Sequence, residues 1–151
     1  KRENPNAFRI FPFLYPDIFR FRSSSRMLRR KRRTDILLII SEGVRTFMDE
    51  IEIIKQRLIE QVNPICIYLF GSFASGTAHA DSDLDFYIIV DDGVKNLHTI
   101  AASAHKAVRD VKQRSVDILV GTKSGFAERK DQFTVENEVF HKGILIYESD
   151  H

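Results

Sequence analysis

Hydrophobic and polar positions fall into blocks along the chain, and the blocks differ in length and period. Short apolar runs rich in β-branched and aromatic residues, with turn formers at their ends, predict strands at residues 65–70, 86–90, 115–120 and 143–147. Apolar positions three or four apart predict helices at residues 44–62 and 94–112, and residues 126–140 are expected to be helical in one or two pieces. Strands that alternate with helices indicate an α/β fold with a mixed sheet.

The longest apolar run, Ile36 to Ile40, is far too short to span a bilayer. Thr34 and Asp35 can cap a helix that enters this run. We expect residues 41–43, which include Gly43, to interrupt or bend that helix.

Two aspartates, Asp83 and Asp85, stand where the second predicted strand begins. Side chains two positions apart on a strand point to the same face of the sheet. Carboxylates so close repel each other unless a cation lies between them or one keeps its proton. Mg²⁺ prefers such oxygen ligands, completed by water and substrate phosphates. The pair is therefore a metal-site hypothesis, and a solvated turn is its alternative.

Gly71 and Ser72 end the first predicted strand. A glycine permits close approach of the backbone, and a serine can cap a following helical turn. Exposed N–H groups at such a turn attract phosphate. A phosphate cradle beside a metal site is what phosphoryl or nucleotidyl transfer requires.

A third acid, Asp117, lies inside the otherwise apolar run of residues 115–120. We expect it to be buried, because it interrupts an apolar strand, and a buried carboxylate needs an ion or another partner. A strand-end aspartate that faces water is the alternative. If this strand lies beside the second one, the carboxylates of Asp83, Asp85 and Asp117 meet at one edge of the sheet.

Together these motifs resemble a known signature. Gly71-Ser72, followed after ten residues by Asp83-Leu84-Asp85 and later by Asp117, is similar to the pattern of the DNA polymerase β superfamily of nucleotidyltransferases. The short length resembles the minimal nucleotidyltransferases, which include the antitoxin partners of HEPN-type ribonuclease toxins. The resemblance spans roughly residues 45–148, and it implies the nucleotidyltransferase fold: a mixed sheet flanked by helices in a single small domain.

The resemblance also implies roles for residues. Asp83, Asp85 and Asp117 would be the catalytic residues and the ligands of one or two Mg²⁺ ions. The nucleotide-binding residues would be Gly71, Ser72 and Ser82, with ATP or another nucleoside triphosphate as substrate. The implied reaction moves a nucleoside monophosphate, AMP first, to a hydroxyl of a partner protein such as a HEPN-like toxin encoded nearby. The alternatives are a non-catalytic module that binds a toxin or nucleic acid, and transfer to an antibiotic or metabolite.

One departure from the family concerns the loop after Gly71. Many minimal members carry an arginine there, in a pattern like Gly-Ser-x-Ala-Arg-Gly, whereas this chain has Phe73 and Ser75 at the loop positions. Losing a cation beside a triphosphate costs about 1–3 kcal/mol of charge-assisted contact. The candidate substitutes are Arg109, Lys123 and Arg129. Lys123 lies in the loop of residues 121–125, which we expect at the acidic edge of the sheet.

Charge divides the 151 residues into two parts. Residues 1–33 contain eleven Lys or Arg and two acidic residues, a net charge of +9, and the remainder has a net charge of −7. Three of the four prolines lie in this first part and argue against a long helix there. We predict a basic extension at residues 1–33, disordered or loosely packed, and one nucleotidyltransferase domain at residues 34–151. An electrostatic clamp for nucleic acid or an acidic partner is the other interpretation of the extension.

Cys66 is the single cysteine, so an internal disulfide and a thiolate zinc cluster are excluded. We expect it to be a small buried side chain in the first strand. A reducing, cytoplasmic location fits this usage, no membrane association is expected, and an oligomer is left open.

Overall fold

The structure, a computed structural model, describes residues 33–79 and 81–149, with side chains described from residue 48 onward. The predicted extension at residues 1–33 therefore lies outside the described residues except for the backbone of its last position. In chain order the elements are α1 (Arg33–Val62), β1 (Cys66–Phe70), α2 (Gly71–Ser75), β2 (Leu84–Val90), α3 (Leu97–Val108), β3 (Val116–Thr122), α4 (Lys123–Arg129), α5 (Val135–Lys142) and β4 (Ile144–Glu148).

The four strands form one mixed sheet in the order β3-β2-β1-β4. β1 pairs antiparallel with both β2 and β4, whereas β2 and β3 run parallel. All four predicted strands are present, with bounds that differ from the prediction by at most two residues. The predicted α/β fold with a mixed sheet is thus confirmed.

One prediction about helices needs correction. α1 runs without a break through residues 41–43, where we expected an interruption. The cost of one glycine inside a helix, about 1 kcal/mol, is too small to stop a helix of 30 residues. The helical stretch predicted at residues 126–140 consists of two helices, α4 and α5, which is one of the two arrangements expected, and Thr134 is the N-cap residue of the second.

Helices cover both faces of the sheet. Residues of α1 and α3 pack on one face, around a core in which Ile54, Leu58, Leu84 and Phe86 are fully buried. α4 and α5 lie on the other face, where Phe126 and others form a smaller cluster. The side chains that alternate along β2 divide between these two layers, as a period of two requires. No helix in the described part of the chain is both long and apolar enough to cross a membrane.

A buried carboxylate ties α1 to the turn before β3. The side chain of Glu50 is 1% exposed, and it accepts hydrogen bonds from the backbone N–H of Gln113 at 2.8 Å and from Nε of Arg114 at 3.2 Å. The guanidinium of Arg114 in turn lies 5.5 Å from the ring centroid of Phe73 in α2. These contacts of Glu50 and Arg114, which we call the Glu50 brace, connect α1, the segment before β3 and the turn that follows β1.

Candidate active site

The strand register brings the predicted motifs to one place. Asp85 pairs with Phe70 on β1 and with Asp117 on β3. Neighbouring strands lie about 4.8 Å apart, so the backbones of Asp85, of Asp117 and of the residue before Gly71 are direct neighbours. The side chains of Asp85 and Asp117 fall on the face of the sheet that α4 and α5 cover.

Gly71 fits closely against Asp85. Its φ of +68° lies in the left-handed region, and a Cβ built on it would overlap Oδ2 of Asp85. Both facts require glycine at this position. The carboxylate of Asp85 therefore rests against the backbone where the α2 turn begins.

The α2 turn presents backbone groups rather than a side-chain cap at its start. Its N-cap residue, Phe70, has extended backbone and makes no capping hydrogen bond from its side chain. The turn closes at Gly76 in the left-handed region, with the N–H of Thr77 donating to the carbonyl of Ser72 at 3.0 Å. The first N–H groups of such a turn are suited to an anion.

The three acids differ in exposure. Asp85 is half-buried, whereas Asp83, which lies just before β2, and Asp117 are exposed. The expectation that Asp117 is buried is wrong, because it is the second residue of an edge strand and lies on the less covered face. Burial, which is the largest cause, and the negative charges of Asp117, Asp83 and Glu138 together raise the pKa of Asp85 to about 6.

Glu138 is an acid of the site that the sequence motifs missed. It lies on α5, and its charge acts on Asp85 through space. Its position in the sequence, 53 residues after Asp85, carries no signal, because α5 reads as an ordinary amphipathic helix. Only the packing of α5 beside the α2 turn brings Glu138 to the acids.

The donor set fits a hard divalent cation. Asp83, Asp85 and Asp117 offer only carboxylate oxygens, the ligands that Mg²⁺ prefers. Every charge of the described residues that shifts the pKa of Asp85 is negative, so a cation would offset the repulsion. Among the described residues, no three His, Cys, Asp or Glu side chains are already arranged as a metal ligand set. Binding therefore requires side-chain rotation, which is fast for the two exposed aspartates.

Ser82 shapes the loop that leads to Asp83. Its Oγ accepts a hydrogen bond from the N–H of His79 at 2.7 Å, and its own N–H donates to the carbonyl of His79 at 3.1 Å. These paired bonds fix the approach to β2. A contact of Ser82 with nucleotide stays a prediction.

The fold and this cluster can be compared with known proteins. The family model described as polymerase beta, nucleotidyltransferase, matches residues 52–151. The chain belongs to this nucleotidyltransferase family. No curated protein matches the sequence.

Solved structures give partial overlaps. A toxin–antitoxin crystallised with AMP-PNP is 26% identical over 67% of this chain and 74% of its own, with a TM-score of 0.42. A mutant of the toxin–antitoxin MntA-HpeT is 24% identical over 67% of this chain and 74% of its own, with a TM-score of 0.41.

The loop after Gly71 is where the chain departs from the arginine-containing pattern that it was expected to resemble. Phe73 is 2% exposed and belongs to the core, so its ring does not face the place where phosphate would bind. Ser75 is exposed, and its Oγ donates to the carbonyl of Ser72 at 3.2 Å. Ser75 is therefore the loop position at which a cation is missing.

Two of the three candidate substitutes for that cation lie away from the acids, and the third is held in an ion pair. Arg109 follows α3, which covers the opposite face of the sheet. Lys123 follows the far end of β3, so the expectation that its loop lies at the acidic edge is wrong: a parallel strand of seven residues separates the two ends. Arg129 points its Nε at Oε2 of Glu136, 3.2 Å away.

Glu136 anchors α5 to β2. It is buried, and its Oε1 accepts a hydrogen bond from the hydroxyl of Tyr87 at 2.9 Å. Burial alone would raise the pKa of Glu136, but hydrogen bonds from its own backbone, Tyr87 and Thr134, with the charge of Arg129, hold it below its usual value. Burial and this carboxylate raise the pKa of Tyr87. Tyr87, the residue that bonds Glu136, lies two positions after Asp85, so this hydrogen bond holds α5 over the site.

Proposed function

We propose that this protein is a Mg²⁺-dependent nucleotidyltransferase that moves a nucleoside monophosphate, AMP from ATP as the first candidate, onto a hydroxyl of a partner protein. The observation that carries the proposal is the position of Asp85. It rests against Gly71, pairs in register with Asp117, and has a pKa raised to about 6 by burial and by neighbouring acids. An arrangement that collects negative charge at a turn suited to phosphate favours metal-assisted transfer.

Roles follow from position. Asp83, Asp85 and Asp117 would hold Mg²⁺, which supplies charge stabilisation for in-line displacement at phosphorus. The α2 turn at Gly71 and Ser72 would bind the outer phosphates through backbone N–H groups. In the reaction, the acceptor oxygen bonds to the α-phosphorus and its proton is released to solvent, the bond from the α-phosphorus to the β-phosphate oxygen breaks, and pyrophosphate leaves.

The acceptor side of the site is the side of Asp117. This residue is exposed and lies on the edge strand β3, so a hydroxyl on another molecule can approach it from solvent. The sequence resemblance to antitoxins makes a HEPN-type toxin the first candidate for the partner. A cytoplasmic location, where ATP and Mg²⁺ are plentiful, belongs to the same proposal.

A second candidate is a module that binds its partner without turnover. It is favoured by the exposed Ser75 at the loop position where relatives carry arginine, and by the purely negative surroundings of Asp85. Weak binding of triphosphate would follow from both features.

The test is label transfer from ATP labelled at the α-phosphate, with Mg²⁺ and the product of the neighbouring reading frame. We expect label on that protein, reduced on the order of 100-fold or more by Asp85→Asn. Glu60→Gln, which changes an exposed acid on α1, is the matched control and should leave transfer unchanged.

Each other outcome is informative. A tight, unlabelled complex would support the binding module and contradict the enzyme. Label on a small molecule in the absence of a partner would replace the protein acceptor with a metabolite or drug. Transfer that survives Asp85→Asn would refute the assignment of the site.

A further inference from the structure

A pocket separate from the acids lies on the face of the sheet that carries Asp85, near the opposite end of β2. Its volume is about 340 Å³. Ile89 of β2 lines it, four residues after Asp85, which corresponds to about 13 Å along a strand. The aromatic and charged residues that line it include Tyr68, Phe126, Phe140, Lys123, Lys130 and Glu148. Tyr87 lies between Asp85 and Ile89 on the same face of β2 and packs against Phe126 of the pocket, so the two sites are separate.

One wall of the pocket is aromatic. The rings of Tyr68 and Phe126 are stacked, with centroids 5.9 Å apart and planes inclined by 17°. Phe140 meets Phe126 edge to face at 6.5 Å, and it is 45% exposed. Phe126 itself is buried, so the wall is held by packing before any ligand arrives. Such a surface suits a planar ring, which stacks on aromatic side chains with little loss of entropy.

The rim of the pocket is cationic. Nζ of Lys130 lies 4.6 Å from the centroid of the Phe140 ring, and Lys123 lines the pocket beside the start of α4. Glu148 supplies one opposing charge. Burial raises the pKa of the Cys66 thiol, Glu148 adds to this, and Lys123 opposes it, which indicates that both charged side chains reach the pocket.

One lining residue also has an unpaired polar atom. Oγ of Ser149 is buried and has no hydrogen-bond partner among the described residues. Buried hydroxyls usually pair with protein, water or ligand.

We propose that this pocket binds a small planar aromatic anion, of the class of nucleoside monophosphates and aromatic acids. The ring would lie along the wall of Tyr68, Phe126 and Phe140. The anionic group would lie between Lys123 and Lys130, where two ammonium groups compensate a phosphate or carboxylate. The volume is within the range of small-molecule sites. This proposal stands independently of nucleotidyl transfer.

Cys66 provides the test, because it is the single cysteine and its half-buried thiol lines the pocket. The rate of alkylation by iodoacetamide is measured on the full chain carrying Asp85→Asn, with EDTA present, so that nucleotide at the acids does not contribute. We expect AMP to slow alkylation at least about fivefold, with saturation in the millimolar range. Adenosine and ribose 5-phosphate, which lack the charge or the ring, should slow it less than about twofold.

Variants locate the effect. Lys123→Ala with Lys130→Ala should abolish protection by AMP, and Lys112→Ala, an exposed lysine outside the pocket, should not. Circular dichroism checks that the variants fold. Anthranilate in place of AMP separates a carboxylate ligand from a phosphate ligand.

Three results would overturn the proposal. The first is no protection by either AMP or anthranilate. The second is equal protection by ribose 5-phosphate, which would mean an anion site without a ring site. The third is protection in the native sequence that disappears with Asp85→Asn, which would assign the effect to the acids. Loss of label transfer has no bearing on any of these readouts.

Discussion

At the scale of single residues, Asp85 occupies a position that disfavours its own charge. Its pKa in the fold, about 6, exceeds the ordinary value of 3.8. Between about pH 4 and pH 6 the folded protein therefore binds more protons than the unfolded chain, and the metal-free protein loses stability as pH rises through this window. The side chain is only half-buried, so solvent reduces the size of the effect.

Asp85→Asn should separate stability from activity. We expect it to raise the free energy of unfolding at pH 8 in EDTA, because a repelled and partly desolvated charge is removed, and to give a smaller gain at pH 5, which lies in the middle of this window. Urea unfolding at both pH values measures this. Asp131→Asn, at an exposed acid outside the site, is the control. A variant less stable than the native sequence at pH 8 would contradict the explanation.

Gly71→Ala should be damaging for two separable reasons. The positive φ costs about 1 kcal/mol or more for alanine, and the new Cβ overlaps the carboxylate of Asp85. A double-mutant cycle with Asp85→Ala removes the overlap and keeps the φ strain. We therefore expect Gly71→Ala to cost less stability in the Asp85→Ala background, as judged by urea unfolding. Equal costs in both backgrounds would place the strain in the backbone alone.

Ser75→Arg should strengthen nucleotide binding. Ser75 is exposed at the end of α2, at the loop position where the pattern that the chain resembles has an arginine. A restored charge-assisted contact to triphosphate is expected to lower the KM for ATP about five- to tenfold, roughly 1–1.4 kcal/mol. Ser75→Gln, of similar length without charge, should leave KM unchanged. An equal effect of both variants would show that the charge is irrelevant.

At the scale of elements, the Glu50 brace holds the segment before β3. Glu50→Gln should cost about 1–3 kcal/mol in the free energy of unfolding, because a buried acceptor of two hydrogen bonds is altered. Thermal or urea unfolding measures the loss. Glu52→Gln, at an exposed acid paired only with Lys55 and Gln56 nearby, should cost less than about 1 kcal/mol. Similar losses in the two variants would mean that burial of Glu50 contributes little.

The elements themselves were largely predictable from the sequence. The strand around Leu84 to Val90 is buried on both faces, and its continuous apolar run is the signal that such strands give. Helix bounds were less predictable, because they depend on caps and packing. Asn96 caps α3 by accepting a hydrogen bond from the N–H of Thr99, which a pattern of apolar residues does not encode. The split between α4 and α5 likewise depends on tertiary contacts.

At the scale of the whole molecule, Asp85 and Asp117 lie side by side on β2 and β3, as strand alternation and parallel pairing predict. What the sequence could not show is the fourth acid, Glu138, since it depends on how α5 packs. The burial of Asp117 was also mispredicted. The apolar neighbours of Asp117 in the sequence predict burial, but Asp117 lies on an edge strand and faces solvent.

Mg²⁺ should stabilise the whole fold if the acids bind it. At a concentration about 100 times its Kd, the free energy of unfolding is expected to rise by about 2.7 kcal/mol at pH 8. The rise should be smaller at pH 5, where protons compete for Asp85. Unfolding with Mg²⁺ and with EDTA measures the difference, and Asp85→Asn should reduce it. A shift that is unchanged in that variant would place the ion elsewhere.

The parallel pairing of β2 with β3 has a consequence for biosynthesis. Asp117 follows Asp85 by 32 positions, and the whole of α3 intervenes. While the chain emerges from the ribosome, β1 and β2 can pair before β3 has been translated, because their antiparallel connection is short. A nascent chain at that stage contains Gly71 and Asp85 but lacks Asp117. Competence to bind metal at all three aspartates therefore arrives late, when β3 docks.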